Sequence, residues 1–295
     1  MEPLAIIINS IKVFIPAMIP IFIASLGELI TERSGILNLG IDGIFVLGSA
    51  LAFTLVVMTN NLFIALIAPA LFGALIGLVH GFISITLMGN QVVNGLALTM
   101  VGYGLASIVG KLQLGKPLPS KLILPESIGL SACILLSVIT WIILFKLKIG
   151  SMIRAVGENP HAAEALGVNV YLVRYICTVT GSALISIGGA LFLLEYMGFW
   201  TEGLGVGRGW IALAAVIVSG WNPILLLLVS MLFAYVEVNV WSFQLTYGVH
   251  ASLLNMLPYI VALGVLSAFM STPLRKRLKA PSALAKPYYR EERTV

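Results

Sequence analysis

Long runs of mostly apolar residues dominate this chain. A helix that crosses a bilayer needs about 20 such residues. Runs of suitable character lie at 11–30, 36–58, 62–88, 92–110, 127–147, 174–195, 207–220, 223–242 and 254–271. They predict an all-α fold, a polytopic transmembrane helical bundle with about 8–10 spans. The run 207–220 is short for a full span, and it predicts a tilted, broken or re-entrant helix surrounded by protein or by a cavity.

The composition supports a membrane protein. Hydrophobic residues make up 59% of the chain and charged residues only 10%, with a mean hydropathy of +1.05. Soluble domains carry about 25% charged residues. A soluble protein could not cover its surface with so few charges, and disordered chains are polar and charged. The two cysteines, both in apolar stretches, exclude a disulfide-built domain.

Basic residues give the predicted orientation. The polar interruption 146–174 and the tail that follows 272 are both rich in lysine and arginine, so both are predicted to be cytoplasmic. The domains are then a transmembrane region, 1–272, with a cytoplasmic loop at about 148–173, and a basic cytoplasmic tail, 273–295. The tail could instead bind nucleic acid, but its short juxtamembrane run favours an anchor. Counting back through the spans places the N-terminus outside. It also places Lys111, Lys116 and Lys121 outside, which conflicts with the positive-inside rule.

Polar residues within the apolar runs are candidates for function, because they are expensive there. Asn38 and Asp42 are four apart and share one helix face. They could line a polar substrate path or fix helix packing. Glu32 and Arg33, just before them, are expected to be interfacial and solvated.

Three softer candidates for the path follow from position. Asn94 clusters with neighbouring amides where one span meets the next, so it either lines a path or belongs to a turn. Gly207 lies in a glycine-rich break, and Trp210 follows it, either as an interfacial anchor or as an aromatic surface for substrate. The breaks at 31–43 and 201–209 resemble each other and lie on opposite sides of the predicted membrane. Either the two breaks belong to an inverted repeat, as in many transporters, or two glycine-rich segments resemble each other by chance.

The cytoplasmic loop carries a short helix signal. Asn159 can cap a helix, Pro160 suits its first turn, and Gly167 can end it after 161–166. Ala162, Ala163 and Leu166 form a small apolar stripe, which would either dock in a groove of a cytoplasmic partner or lie on the bundle itself.

The sequence contains no phosphate-cradling loop, no pair with metal-ligand spacing and no nucleophile–base arrangement. We therefore expect neither an enzyme nor a cofactor bound by this chain.

Three motifs resemble a known family. Residues 32–43, ERSGILNLGIDG, are similar to the early signature of ABC importer permeases of the branched-chain amino acid, ribose and nucleoside group, and look most like its nucleoside and simple-sugar branch. Residues 154–167 resemble that group's cytoplasmic coupling loop, and Leu257-Pro258-Tyr259 its closing helix. Asp42 stands where glutamate is frequent.

The resemblance implies a multi-pass subunit of a bacterial plasma membrane that pairs with a second, often distinct, permease. It also implies cytoplasmic ATPase subunits, which use the ATP, and an extracytoplasmic substrate-binding protein. The residues that would couple to the ATPase are Gly157, Glu158, Asn159, Pro160, Ala162, Ala163, Leu166 and Gly167.

The predicted function is ATP-driven import of a nucleoside or related sugar-containing solute. The alternatives are the same type of importer for a simple sugar, riboflavin or a branched-chain amino acid. A less favoured alternative is an ion-driven secondary transporter, which would use a carboxylate such as Glu195 or Glu237. A membrane-embedded enzyme is disfavoured because the sequence shows no catalytic arrangement.

Overall fold

The computed structural model describes residues 3–119, 125–247, 256–270 and 279–290, and these residues contain helices but no strand. The helices are α1 (Pro3–Arg33), α2 (Ile41–Thr59), α3 (Leu62–Gly81), α4 (Gln91–Lys111), α5 (Glu126–Lys146), α6 (Lys148–Glu158), α7 (Pro160–Ala165), α8 (Val170–Leu191), α9 (Arg208–Val218), α10 (Pro223–Tyr247) and α11 (Leu257–Met270). Two of them continue as π-helical turns, α3 over Phe82–Thr86 and α8 over Phe192–Met197.

The predicted polytopic bundle is confirmed. Among the described residues, 6 helices are long and apolar enough to cross a membrane. They are Phe14–Arg33, Ile41–Thr59, Leu62–Thr86, Gln91–Lys111, Glu126–Lys146 and Val170–Met197. The short run 207–220 forms α9, a helix of 11 residues, as its length predicted.

Helix α8 lies at the centre and packs on α1, α2 and α3 through small residues. A Cβ on Gly189 would lie 1.9 Å from the Phe45 carbonyl oxygen of α2, and one on Gly181 would lie 2.0 Å from the Thr31 hydroxyl of α1. Lipid tails are as apolar as leucine, so helices in a bilayer associate through such close packing. This packing fixes the helices that carry the candidate site.

The two ends of the bundle can be told apart by their contacts. At one end, Gly157 of the loop between α5 and α8 lies so close to α1 that a Cβ would stand 2.1 Å from the Arg33 carbonyl oxygen. Its own carbonyl accepts a 2.9 Å hydrogen bond from the Ala283 amide. At the other end, Gly110 at the close of α4 packs on Trp200. Lys111 therefore lies at the end opposite the loop, as the counted topology predicts, and its conflict with the positive-inside rule stays a prediction. Lys121 lies outside the described residues.

Glu32 corrects one expectation. It was expected to be solvated, but it is 1% exposed and accepts a hydrogen bond from the Trp221 indole N–H. Arg33 beside it donates to the Trp221 carbonyl at 2.7 Å and is partly buried. Arg33 thus satisfies a backbone carbonyl of the turn that follows α9, and the two residues together tie the end of α1 to that turn.

Candidate functional site

Two interrupted helices begin against each other at Asp42. After α1, residues 34–40 turn back into the bundle, and α2 begins at Ile41. After α8 and its π turn, residues 198–207 return in the same way, and α9 begins at Arg208. The Asp42 carboxylate accepts hydrogen bonds from the Gly207 amide at 2.9 Å and the Gly209 amide at 2.6 Å. We call Asp42, Gly207 and Gly209 the Asp42 junction.

Two glycines at the start of α9 are needed at the Asp42 junction. A Cβ on Gly209 would lie 2.3 Å from the Asp42 Cα, so no side chain fits there. Gly207 precedes α9 with a φ of +93°, a conformation that other residues rarely adopt. The first N–H groups of a helix have no partner within it, and the helix dipole favours an anion there. Asp42 meets both requirements for α9.

The Asp42 junction lies about midway through the bundle. A Cβ on Gly43, the next residue of α2, would lie 2.5 Å from the Thr99 Cα. Gly102 makes an equally close approach to Gly43, and both Thr99 and Gly102 lie near the centre of α4. Transporters place substrate sites at this level, between the ends of discontinuous helices.

Aromatic and paired charged side chains surround the junction on one side. The Tyr103 hydroxyl donates to the Asp42 carboxylate, and the Tyr259 hydroxyl donates to the Gly207 carbonyl at 2.9 Å. Arg208 and Glu237 form an ion pair at 2.7 Å. Tyr259 is 38% exposed, and Tyr103, Trp210 and Arg208 are half-buried. We call this set (Tyr103, Arg208, Trp210, Glu237, Tyr259) the open face. The structure thus brings the predicted residues Asp42, Gly207 and Trp210 together.

Asn38 lies away from the open face. It is fully buried, its side-chain NH₂ donates to the Ser182 hydroxyl at 3.3 Å, and its side-chain oxygen accepts from the Gly40 amide at 3.1 Å. Its backbone amide donates to Glu28 at 3.1 Å. These contacts hold residues 34–40 in place, which is the packing interpretation. A path-lining role for Asn38 stays a prediction.

Asn94 belongs to a polar cluster that the sequence did not reveal. Its side-chain NH₂ lies 3.0 Å from His80 Nδ1 and 2.9 Å from the Ser84 hydroxyl. His80 Nε2 lies 3.1 Å from the Leu37 carbonyl oxygen, and Gln91 accepts from the Leu37 amide at 2.8 Å. In the sequence His80 looks isolated. The cluster supports residues 34–40 from the side of α3 and α4, outside the Asp42 junction.

The predicted loop helix is confirmed as α7. Asn159 accepts a 3.0 Å hydrogen bond from the Ala162 amide, and Gly167 follows the helix with a φ of +85°. The structure divides the predicted coupling residues by exposure. Exposed to solvent are Glu158, Asn159, Ala162, Leu166 and Gly167, with Leu166 at 84%. Buried against the protein are Gly157, Pro160 and Ala163.

Comparison with known proteins identifies the family. Residues 11–270 match the family described as branched-chain amino acid transport system / permease component. The chain belongs to this family. It is thus a multi-pass membrane permease, and the family resemblance noted in its motifs is confirmed.

Three relatives are similar over nearly their whole length. A putative glucose ABC transporter permease protein, TsgC13 of Haloferax volcanii, is 30% identical over 92% of this chain and 94% of its own. The guanosine ABC transporter permease protein NupQ of Bacillus subtilis is 29% identical over 97% and 99%. The nucleoside ABC transporter permease protein NupC of Lactococcus lactis is 27% identical over 90% and 94%.

Each of these three organisms also has a second permease of the same kind that is similar to the chain, at 23% or 24% identity. The predicted location in a bacterial plasma membrane agrees with the Bacillus and Lactococcus relatives. No solved structure matches the chain.

Proposed function

We propose that this chain is the permease subunit of an ATP-driven importer that moves a nucleoside or a related sugar-containing solute into the cell. The observation that carries the proposal is the Asp42 junction, where two interrupted helices begin midway through the bundle beside an open face. This face carries hydroxyl groups and a largely buried ion pair, and polar groups of this kind are costly against lipid. It is therefore suited to border an aqueous path.

The chemistry of the open face favours a neutral, ring-containing solute. Tyr103, Trp210 and Tyr259 offer aromatic surfaces, and the two hydroxyls can exchange hydrogen bonds with a sugar or a base. Arg208 and Glu237 neutralise one another at 2.7 Å. An amino acid would need partners for both its ammonium and its carboxylate, and both charges here are already paired. The guanosine and nucleoside transport named for two relatives supports the same substrate class.

A simple sugar is the second candidate, and the glucose transport named for TsgC13 favours it. Sugars and nucleosides share the hydroxyl groups that the two tyrosines could bind. They differ in the base, for which Trp210 offers a stacking surface. Competition between the two solutes therefore separates these candidates.

The complete importer would contain four kinds of subunit. A second permease would face the open face, so that the path lies between two permease chains. The paired permeases of the three organisms support a heterodimer. Cytoplasmic ATPase subunits would contact the exposed residues of α7, and an extracytoplasmic binding protein would deliver the solute. No cofactor is proposed for this chain.

A contact route connects α7 to the path. Gly157, at the end of α6, touches the Arg33 carbonyl of α1, from which residues 34–40 lead directly to Asp42. Movement of α7 by the ATPase would reach the Asp42 junction along this route. Work is obtained only if ATP and solute bind the inward and outward states with different affinities.

The test is uptake by proteoliposomes that contain both permeases and the ATPase, with the binding protein outside. We expect ATP-dependent uptake of radiolabelled guanosine. Unlabelled nucleosides should compete with this uptake, whereas glucose and leucine should not. Trp210→Ala should raise the guanosine concentration needed for half-maximal uptake. Trp141→Ala, a half-buried tryptophan of α5, is the matched control. Uptake driven by an ion gradient without ATP, or competition by leucine alone, would contradict the proposal.

A further inference from the structure

Residues 279–290 lie along the coupling loop, although the sequence indicated only a basic anchor there. The Ala283 amide donates to the Gly157 carbonyl at 2.9 Å, and the Ser282 hydroxyl donates to Glu158 at 2.7 Å. Farther along, the Tyr288 hydroxyl donates to Glu164 of α7. We call residues 279–290 the C-terminal strap. It contacts both α6 and α7, one on each side of Asn159.

Tyr288 is the most deeply buried residue of the C-terminal strap. It is 3% exposed, and its ring centroid lies 5.0 Å from that of His161 and 5.6 Å from that of Tyr171. Burial and the neighbouring Glu164 raise the pKa of Tyr288 above its usual range, so its hydroxyl remains a donor at physiological pH. One ring therefore joins α7 to the start of α8.

Arg174 explains why a tyrosine ring is needed at this place. It is 1% exposed, and its Nε and Nη2 atoms have no hydrogen-bond partner. Its guanidinium carbon lies 5.8 Å from the Tyr288 ring centroid, where the face of the ring attracts a cation. A buried charge without partners is costly, and the Tyr288 ring supplies part of the missing interaction.

The other end of the C-terminal strap covers the contact between α6 and the break after α1. Pro281 Cβ would lie 3.4 Å from a Cβ on Gly157, and the Ala283 carbonyl oxygen would lie 3.3 Å from one on Gly35. Gly35 begins the segment that leads to Asp42, and Gly157 touches Arg33 directly. The strap thus closes over the place where the coupling loop meets the route to the Asp42 junction.

From these contacts we infer that the C-terminal strap is a positioning element of the transport cycle, with Tyr288 as its main positioning residue. It holds α6 and α7 against the ends of α1 and α8, so that a displacement of α7 moves residues 34–40 instead of being lost in a hinge at Asn159. This inference rests on the proposed function, because it assigns the strap a part in coupling ATP hydrolysis to solute movement. Without the strap, ATP would be hydrolysed with little transport.

The test compares Tyr288→Ala, Tyr288→Phe and Tyr289→Ala in the full complex, measuring uptake and ATP hydrolysis in the same proteoliposomes. Coupling free energies typically correspond to 5–150-fold effects, so we expect Tyr288→Ala to lower the solute moved per ATP about tenfold, with the ATPase still bound. Tyr288→Phe keeps the ring and loses one hydrogen bond, which limits its effect to about fivefold. Tyr289 is 39% exposed, and its alanine variant should match the wild type.

A purely structural role makes different predictions. The inference would be overturned if Tyr288→Ala and the wild type moved the same number of solute molecules per ATP hydrolysed. It would also be overturned if the loss of uptake in Tyr288→Ala were fully explained by a loss of folded protein or of bound ATPase. Hydrogen exchange on the wild-type complex is the second measurement. Residues 279–290 and 155–167 should remain protected together with and without ATP; much faster exchange of the strap alone would also overturn the inference. If the wild type shows no ATP-driven uptake, the proposed function is wrong, and the exchange result still decides whether the strap holds the loop.

Discussion

Replacing Gly209 with alanine should push the Asp42 junction apart. The new Cβ would lie 2.3 Å from the Asp42 Cα, 2.6 Å from its nitrogen and 2.8 Å from Oδ1. Two of these atoms belong to the backbone of α2, which cannot rotate away as a flexible side chain would. The helix starts must therefore separate, and the hydrogen bonds of 2.6 Å and 2.9 Å to the Asp42 carboxylate must lengthen.

The expected cost can be built from its parts. Overpacking costs about 1–3 kcal/mol, and a hydrogen bond to a charged group contributes about 1.5–3 kcal/mol. Alanine favours a helix over glycine by about 1 kcal/mol, which offsets part of this. Loss of one bond together with the steric clash leaves a net destabilisation of about 1.5–5 kcal/mol. The steric and hydrogen-bond costs exceed the gain in helix propensity.

Gly104→Ala is the matched control, because Gly104 is a helical glycine of α4 with nothing within 4 Å of its added Cβ. It retains only the propensity gain, so its melting temperature in detergent should equal or slightly exceed that of the wild type. Gly209→Ala should melt lower and lose uptake. If the two variants had the same melting temperature and the same uptake, the close junction described above would be incorrect.

Three other changes test other parts of the molecule. Leu166→Asp should leave the melting temperature unchanged, because Leu166 is 84% exposed, but should release the ATPase in a co-purification assay; retained ATPase would place the docking surface elsewhere. Arg208→Gln and Glu237→Gln should each destabilise the protein, and the double variant should lose less than the sum of the two single losses, since each single change strands a largely buried charge and the double change strands none; additive shifts in a double-mutant cycle would show that the pair is not coupled. Asn94→Leu should cost about 1–3 kcal/mol in thermal unfolding, because His80 and Ser84 lose their shared donor; an unchanged melting temperature would show that this cluster does not hold residues 34–40.

Features encoded by neighbouring residues could be predicted from the sequence. The spans follow from runs of apolar residues, and α9 is short because its run is short. The cap of α7 depends on Asn159 and on the amide three residues later, so the local pattern was enough to place it. Gly167 ends that helix for an equally local reason, its left-handed backbone.

Features that depend on distant pairs could not be predicted. Asp42 accepts from amides 165 and 167 positions away, and no local pattern indicates that the two breaks meet. Glu32 was expected in solvent because it stands at a span end, but Trp221, 189 positions away, covers it. Ala162 and Ala163 looked alike in the sequence, yet the first is exposed and the second is buried. The inverted repeat stays a prediction.

The meeting of two helix starts at one carboxylate sets the electrostatic balance at the Asp42 junction. Each helix start carries roughly half a positive charge, so the ends of α2 and α9 together offset the single negative charge of Asp42. The Asp42 carboxylate accepts hydrogen bonds from two backbone amides and from the Tyr103 hydroxyl. The sum at this level is close to zero. If the proposed path passes this level, we expect a neutral solute to cross it without an electrostatic trap or barrier, whereas a phosphorylated solute would find no counter-charge and would be excluded by its ionisation, whatever its shape.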